Sequence, residues 1–275
     1  MLDEQLLCLH QVTVLQQWSL PQFVDAMVRH RIGTIAVWRD KLRDCGVAEG
    51  ARRIADAGLA VTSLCAAGLV TTPDAAEARA AMDEVRRAID EAAAIGAANL
   101  MFVAGGVDPR DKNIDRTRAR VLERLAALAP HARAAGIQIA IEPLHPMVCG
   151  TRSVLSSLKL ANDWCDALAQ EDVFGIAIDV YAVWWDPELA REIARAGGRI
   201  CAFHVCDWLP DTRDIRLDRG MMGDGVIDIP AIRALVEATG YTGHREVEIF
   251  SERDWWRRDP DEVVRIVKQR YQAAV

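Results

Sequence analysis

Four residues whose side chains bind cations or transfer protons each stand at or near the end of a short apolar run. Glu142 ends "IQIAIEP", Asp179 ends "FGIAID", His204 lies in "RICAFHV" and Glu248 lies in "REVEIF". If these residues converge, their three carboxylates would repel one another in a dry site unless a cation offset the charge. Carboxylates with one imidazole suit Mn²⁺, Mg²⁺ or Co²⁺, and Zn²⁺ is compatible. The residue types predict one divalent metal ion, and Mn²⁺ is the ion we expect.

The elements that must position these residues are predicted from the alternation of apolar runs with helical patterns. Met82, Val85 and Ile89, for example, fall at helical spacing on a segment with charged residues opposite. The eight candidate strands are "LLCLHQVTV", "GTIAVW", "AVTSLCAAG", "NLMFVAGG", "IQIAIEP", "FGIAID", "RICAFHV" and "REVEIFS". Eight strand-helix units in about 250 residues are typical of a (β/α)8 barrel, whose functional groups stand at the carboxyl ends of the strands.

The predicted fold class is therefore α/β, a single (β/α)8 TIM barrel domain over residues 1–275. An open doubly wound sheet is the alternative. It would more often carry a glycine-rich phosphate turn after the first strand, whereas "HQVTVLQQWSLP" follows here. No linker or low-complexity segment divides the chain.

Composition narrows the range of partners and compartments. The net charge of -7 and a pI near 5.4 argue against a nucleic-acid partner and favour a small polar substrate. The seven scattered cysteines form no C-x-x-C pair, which predicts reduced thiols. The N-terminus lacks the basic residues of a signal peptide, and no apolar run is long enough to span a membrane. We expect a cytoplasmic protein.

At its chemical motifs the chain resembles the sugar phosphate isomerase/epimerase family of xylose-isomerase-like TIM barrels. That family includes tagatose and psicose epimerases, hydroxypyruvate isomerase and inosose dehydratase. The resemblance covers essentially the whole chain. Its most specific parts are "IEPLHP", "IDVYAVWWDPEL", "FHVCDW", "GMMGDGVIDIP" and "EVEIFS".

The resemblance implies a function and a role for each of the four residues. It implies that Glu142, Asp179, His204 and Glu248 hold the metal, and that Glu142 and Glu248 also form the acid/base pair. A small sugar, sugar phosphate or keto acid would chelate the metal through a carbonyl and a neighbouring hydroxyl. Proton transfer would then pass through a metal-stabilised enediolate.

The chain departs from the family at Ala182, where many relatives carry histidine. The departure puts the substrate contact in doubt but leaves the metal ligands intact. His145, in "EPLHP", could supply the lost imidazole; the alternative is a loop histidine fixed between two prolines.

Other residues are candidates for substrate contact. The resemblance implies that the loop with Asp207 and Arg213 contacts hydroxyls or phosphate; a surface ion pair is the alternative. His10 and Trp38, near the ends of the first two strands, could face a sugar, or Trp38 could simply fill the mouth. Cys206 could be a soft ligand but is better interpreted as core.

Trp184 and Trp185 offer a pocket wall or a contact between subunits of a homo-oligomer.

Three functions compete with an isomerase or epimerase. A keto-polyol dehydratase shares the first proton abstraction, and the sequence does not separate the two. A DNA-repair nuclease of the endonuclease IV type needs more histidines and a basic groove than six histidines and a charge of -7 provide. A metal-binding but catalytically inactive relative is suggested by Ala182.

Overall fold

Eight parallel strands close into a barrel in the computed structural model, which describes residues 2–275. The barrel strands are β1 (Leu7–His10), β2 (Thr34–Trp38), β3 (Ala60–Gly68), β4 (Ala97–Val103), β5 (Gln138–Ile141), β6 (Phe174–Asp179), β7 (Ile200–Val205) and β10 (Arg245–Val247). Each pairs with the next along the chain, and β10 closes the barrel by pairing with both β7 and β1. The predicted TIM barrel and its eight strands are confirmed.

Helices connect the strands. They are α1 (Leu20–His30), α2 (Arg39–Cys45), α3 (Val47–Asp56), α4 (Ala75–Ala94), α5 (Ile114–Ala135), α6 (Leu158–Leu168), α7 (Val180–Val183), α8 (Leu189–Ala196), α9 (Ile229–Ala238) and α10 (Pro260–Ala274). Their ends follow local chemistry: the side chain of Asp259 accepts the N–H of Glu262 at 2.8 Å to begin α10, and Gly136, with φ +69°, ends α5. None of the helices in residues 2–275 is both long and apolar enough to cross a membrane.

The interior of the barrel is filled by small side chains just below the predicted site. Ala140 on β5, Ala177 on β6 and Ala202 on β7 form one buried cluster, together with Cys65 and Met101. Side chains two residues apart on a strand point to the same face. Glu142, Asp179 and His204 each lie two positions beyond one of these alanines, so alternation directs them inward, one layer closer to the mouth.

A short antiparallel ribbon lies over the mouth after β7, and the sequence did not predict it. It consists of β8 (Asp207–Trp208) and β9 (Arg219–Gly220). The carboxylate of Asp207 accepts the backbone N–H groups of Gly223, Gly225 and Ile227 at 2.9 to 3.0 Å. These bonds fasten the loop "GMMGDGVID" to the ribbon, and the ribbon carries Arg219 into the barrel mouth.

Candidate metal and substrate site

Three of the four predicted ligands meet at the bottom of the mouth. One donor atom from each of Glu142, His204 and Glu248 lies within 4.8 Å of the other two. Nδ1 of His204 is 3.4 Å from Oε1 of Glu142 and 3.7 Å from Oε2 of Glu248. All three residues are buried. Their approach follows from the closed sheet, because β5, β7 and β10 direct their carboxyl ends to the same mouth.

His204 has no hydrogen-bond partner on either ring nitrogen among residues 2–275. Its Nε2 lies 3.6 Å from Oε2 of Glu246, a buried carboxylate that accepts hydrogen bonds from Thr62 and Ser63. Burial disfavours charge on the imidazole, but the carboxylates of Glu248, Glu142 and Glu246 outweigh burial and raise its pKa well above the ordinary value. The arrangement strongly favours positive charge at this point.

Asp179, the fourth predicted ligand, joins the cluster through an arginine. Its Oδ1 accepts the N–H of Tyr181 at 3.0 Å, and its Oδ2 accepts a hydrogen bond from Nη1 of Arg219 at 2.9 Å. The same Nη1 donates to Oε2 of Glu248, also at 2.9 Å. Burial raises the pKa of Asp179 to about 6, although Arg219 opposes the shift. Burial also acts to raise the pKa of Glu248, but Arg219 and His204 together hold it below its usual range.

Arg219 belongs to the candidate site, and the sequence reasoning did not select it. Its guanidinium is buried between two aromatic rings, 4.4 Å from the centroid of Tyr181 and 4.8 Å from that of Phe250. It makes no hydrogen bond through Nε or Nη2 to residues 2–275. The only local signal is its place directly before "GMMGDGVID".

The donor set fits a divalent ion. Buried carboxylate oxygens and one imidazole without a hydrogen-bond partner are the ligands that Mn²⁺, Co²⁺ and Zn²⁺ accept, and a cation would offset the repulsion among the carboxylates. Glu246 lies where an outer partner of a ligating histidine commonly lies. Cys206 is not part of this donor group; its buried Sγ is 3.6 Å from Nη1 of Arg219.

A cavity open to solvent lies above these residues. Ligand sites are commonly concave and combine apolar walls with a few polar groups. Glu142, Glu248 and Arg219 line its depth, and Trp38, His145 and Ala182 line its walls.

His145 and Ala182 therefore face the same cavity. Nδ1 of His145 accepts the N–H of Met147 at 3.3 Å, so the neutral ring carries its proton on Nε2. Burial lowers the pKa of His145, which favours this neutral form. The ring packs 5.0 Å from that of Trp208 and 5.7 Å from that of Trp185. The position is compatible with the predicted replacement of a missing imidazole.

The remaining predicted residues lie at different distances from the cavity. His10 is fully buried; its Nδ1 accepts the N–H of Val12, and its Nε2 is 3.5 Å from Oε1 of Glu248. Asp207 is occupied by the loop N–H groups described above. Arg213 is exposed, and within residues 2–275 neither Asp207 nor Arg213 lines the cavity. Their contact with substrate stays a prediction.

The predicted wall tryptophans belong to one aromatic group beside the cavity. The ring of Trp184 lies 5.8 Å from that of Trp208, and Nε1 of Trp185 donates to the carbonyl of Ala182 at 2.8 Å.

Comparison with known proteins identifies the family. The sequence profile described as "Xylose isomerase-like TIM barrel" matches residues 25–268. The chain belongs to the xylose isomerase-like TIM barrel family. The family membership confirms the resemblance inferred from the motifs.

Three proteins similar to this chain are informative. A protein of Sinorhizobium meliloti 1021 is 47% identical in sequence. Its crystal structure matches this chain with a TM-score of 0.96 over 99% of both chains. L-ribulose-5-phosphate 3-epimerase UlaE of Salmonella typhi is 25% identical over 205 residues, which are 72% of this chain and 68% of that protein. The structure of the IOLI protein with a bound zinc atom has a TM-score of 0.84 at 17% identity, covering 97% of this chain and 96% of that one. The last similarity shows a shared fold.

Proposed function

We propose that this protein is a divalent-metal-dependent isomerase or epimerase of a small sugar, sugar phosphate or keto acid. The observation that carries the proposal is the convergence of Glu142, His204 and Glu248, with donor atoms within 4.8 Å of one another, at the bottom of a cavity open to solvent. The 3-epimerase activity named for the Salmonella typhi relative supports the same reaction class.

Glu142, His204 and Glu248 would hold the ion, with Asp179 as the fourth ligand. When bound, the ion supplies Lewis-acid polarisation of a substrate carbonyl and compensates negative charge. Binding of the ion requires that these donors be deprotonated. In the protein without a bound ion, Arg219 favours the ionised forms of Asp179 and Glu248, because it donates a hydrogen bond to each carboxylate.

Glu142 and Glu248 would transfer the proton. Arg219 and His204 hold the pKa of Glu248 low, so this carboxylate is in the ionised form that a general base requires. Glu142, with a carboxylate oxygen within 4.8 Å of one from Glu248, is the second carboxylate able to return a proton. Return to the opposite face of the same carbon gives epimerisation, and delivery to the neighbouring carbon gives isomerisation.

Arg219 orients and stabilises negative charge in this scheme. Its Nη1 serves both carboxylates, while its Nη2 has no hydrogen-bond partner among residues 2–275 and the residue lines the cavity. A free guanidinium N–H at this depth can donate to the oxygen on which negative charge develops as the proton leaves carbon. The rings of Tyr181 and Phe250 pack against the guanidinium, with centroids 4.4 Å and 4.8 Å from its central carbon.

The proposal is tested by solvent hydrogen exchange. Metal-loaded protein is incubated in deuterium oxide with a panel of ketopentoses, ketohexoses, their phosphates and small keto acids, and products are read by mass spectrometry and NMR. We expect deuterium in a product of unchanged formula. A product that has lost one water would instead favour the dehydratase.

Variants Glu142→Gln and Glu248→Gln test the acid/base assignment. Each should reduce exchange by about 10² to 10⁴-fold, the usual contribution of a general acid or base. Glu123→Gln, an exposed site on α5 outside the cavity, is the matched control and should leave exchange unchanged. Metal content is measured for every variant. Full exchange in a glutamine variant that still binds one ion per chain would show that the assignment is wrong.

A further inference from the structure

Two arginines without ion-pair partners stand at the rim of the cavity. Arg152 follows the 3-10 helix Pro146–Val148, and Arg216 lies between β8 and β9. Both line the cavity and also the groove that continues from it past Trp38. Neither guanidinium forms a salt bridge or hydrogen bond with any residue from 2 to 275. Arg39 in the same groove is different, because it is paired with carboxylates of α4.

The backbone holds both arginines at the rim. The N–H of Arg152 donates to the carbonyl of Val148 at 2.8 Å, and its own carbonyl accepts the N–H of Gly105 at 3.1 Å. The N–H of Arg216 donates to Oδ1 of Asp214 at 2.8 Å. The Arg216 guanidinium lies over the ring of Phe250, 5.9 Å from its centroid. The two charges are therefore presented by ordered segments.

The positive charges of the two guanidinium groups act on each other across the cavity and groove that both residues line. Burial lowers the pKa of the half-buried Arg152, and the positive charge of Arg216 lowers it further, while Glu142 acts in the opposite direction. Because a guanidinium stays protonated in proteins, the repulsion remains in the free protein. An anion placed between the two groups would relieve it. Arginine is also the side chain best suited to bind phosphate or carboxylate through paired N–H groups.

Groups of opposite charge therefore line different parts of the cavity. Its depth carries the carboxylates of Glu142 and Glu248, and its rim carries Arg152 and Arg216. We propose that Arg152 and Arg216 bind a terminal oxyanion group of the substrate, a phosphate or a carboxylate, while the reacting carbons lie over the two glutamates. This inference rests on the proposed function and narrows its substrate class to anionic sugars.

The test compares three substrates that differ at the far end: a ketopentose 5-phosphate, a ketose with a terminal carboxylate, and a neutral ketopentose. We expect kcat/KM to be at least about 100-fold higher for one of the anionic substrates than for the neutral one. Arg152→Ala and Arg216→Ala should each lower kcat/KM for the preferred anion about tenfold or more, the usual effect of losing a charged hydrogen bond. The loss should fall mainly on KM, and the neutral ketose should change less than about threefold. The preferred anion distinguishes phosphate from carboxylate.

A second readout does not depend on turnover. Inorganic phosphate is titrated calorimetrically into the metal-loaded wild-type protein and the double variant Arg152→Ala/Arg216→Ala. We expect binding to weaken about 100-fold in the double variant. Arg79→Ala removes an exposed, unpaired arginine from α4, outside the cavity, and is the matched control for charge.

The outcomes separate this inference from the proposed function. Equal turnover of neutral and anionic ketoses, or equal phosphate binding by wild type and the double variant, would overturn the inference and leave the isomerase proposal intact. Absence of exchange with every substrate, together with phosphate binding that depends on the two arginines, would overturn the isomerase proposal and support the anion site.

Discussion

Replacing Arg219 with methionine should have opposite effects on stability and on metal affinity. The guanidinium donates to Asp179 and to Glu248 at 2.9 Å each and is buried between two aromatic rings. Methionine can fill the apolar gap between the rings but leaves two buried carboxylates without their counter-charge. Removing one partner of a buried ion pair costs about 3 to 5 kcal/mol. We therefore expect the free energy of unfolding of the metal-free variant to be lower than that of wild type by this amount.

The corresponding shift in melting temperature is measurable. The entropy of unfolding is about 2.1 cal/mol/K per residue, so a loss of about 4 kcal/mol in a chain of this length lowers Tm by roughly 7 °C. Differential scanning calorimetry with a chelator present measures this shift. Arg219→Lys should lose less, because it keeps the charge but cannot make the same planar contacts. Arg79→Met, at an exposed site, controls for the substitution and should shift Tm by no more than about 1 °C.

The affinity of the methionine variant for a divalent metal ion should increase. A guanidinium bonded to two of the proposed ligands competes with a divalent cation for their oxygens and repels it, so the methionine variant should bind Mn²⁺ more tightly than wild type in calorimetric titration. Added metal should then recover most of the lost Tm, while exchange activity stays low because the cavity has lost its deep donor. A metal-free variant with wild-type Tm, or one with weaker Mn²⁺ affinity, would refute this account of Arg219.

Three further predictions concern side chains around the candidate metal and substrate site. Glu246→Gln should weaken Mn²⁺ affinity about 10 to 100-fold in titration, because the carboxylate next to Nε2 of His204 would no longer orient the ring. His145→Ala should raise KM in steady-state assays without changing metal content, because the imidazole lines the cavity but is not part of the donor cluster. His10→Asn should reduce the acid sensitivity of the metal-free protein: burial lowers the pKa of His10 to about 4 from an ordinary 6.5. Between these pH values only the unfolded chain takes up the proton, so wild type should lose about 3 kcal/mol more than the variant as pH falls from 6.5 to 4 in chemical denaturation.

Local patterns predicted the barrel well because strands and helices leave signals in neighbouring residues. The runs that end in Glu142 and Asp179 are short, apolar and followed by helices, and parallel order then brings their ends together. Glu246 had a usable signal as well: it lies two residues before Glu248 on the same strand, and alternation places both side chains on the inner face.

The ribbon and Arg219 lacked such signals. The strands β8 and β9 are two residues each, too short for any alternation to appear. Arg219 lies 40 residues from Asp179 along the chain, so their hydrogen bond depends on how the intervening loop folds. The sequence reasoning chose Arg213 in the same loop, which the structure leaves exposed. A pairing register between two such short segments is set by tertiary contacts.

The ribbon also contains a segment whose residues could be substituted without changing the proposed metal ligands. One end is fastened through Asp207. At the other end, the N–H of Arg219 donates to the carbonyl of Phe250 at 2.9 Å, and the carbonyl of Leu217 accepts the N–H of Glu252 at 2.9 Å. The stretch between these fixed points, residues 209–216, carries Arg216 but none of the proposed metal ligands. This stretch could therefore be replaced as a unit. New rim residues grafted there would alter which molecules enter, while the residues at the bottom of the cavity keep their geometry.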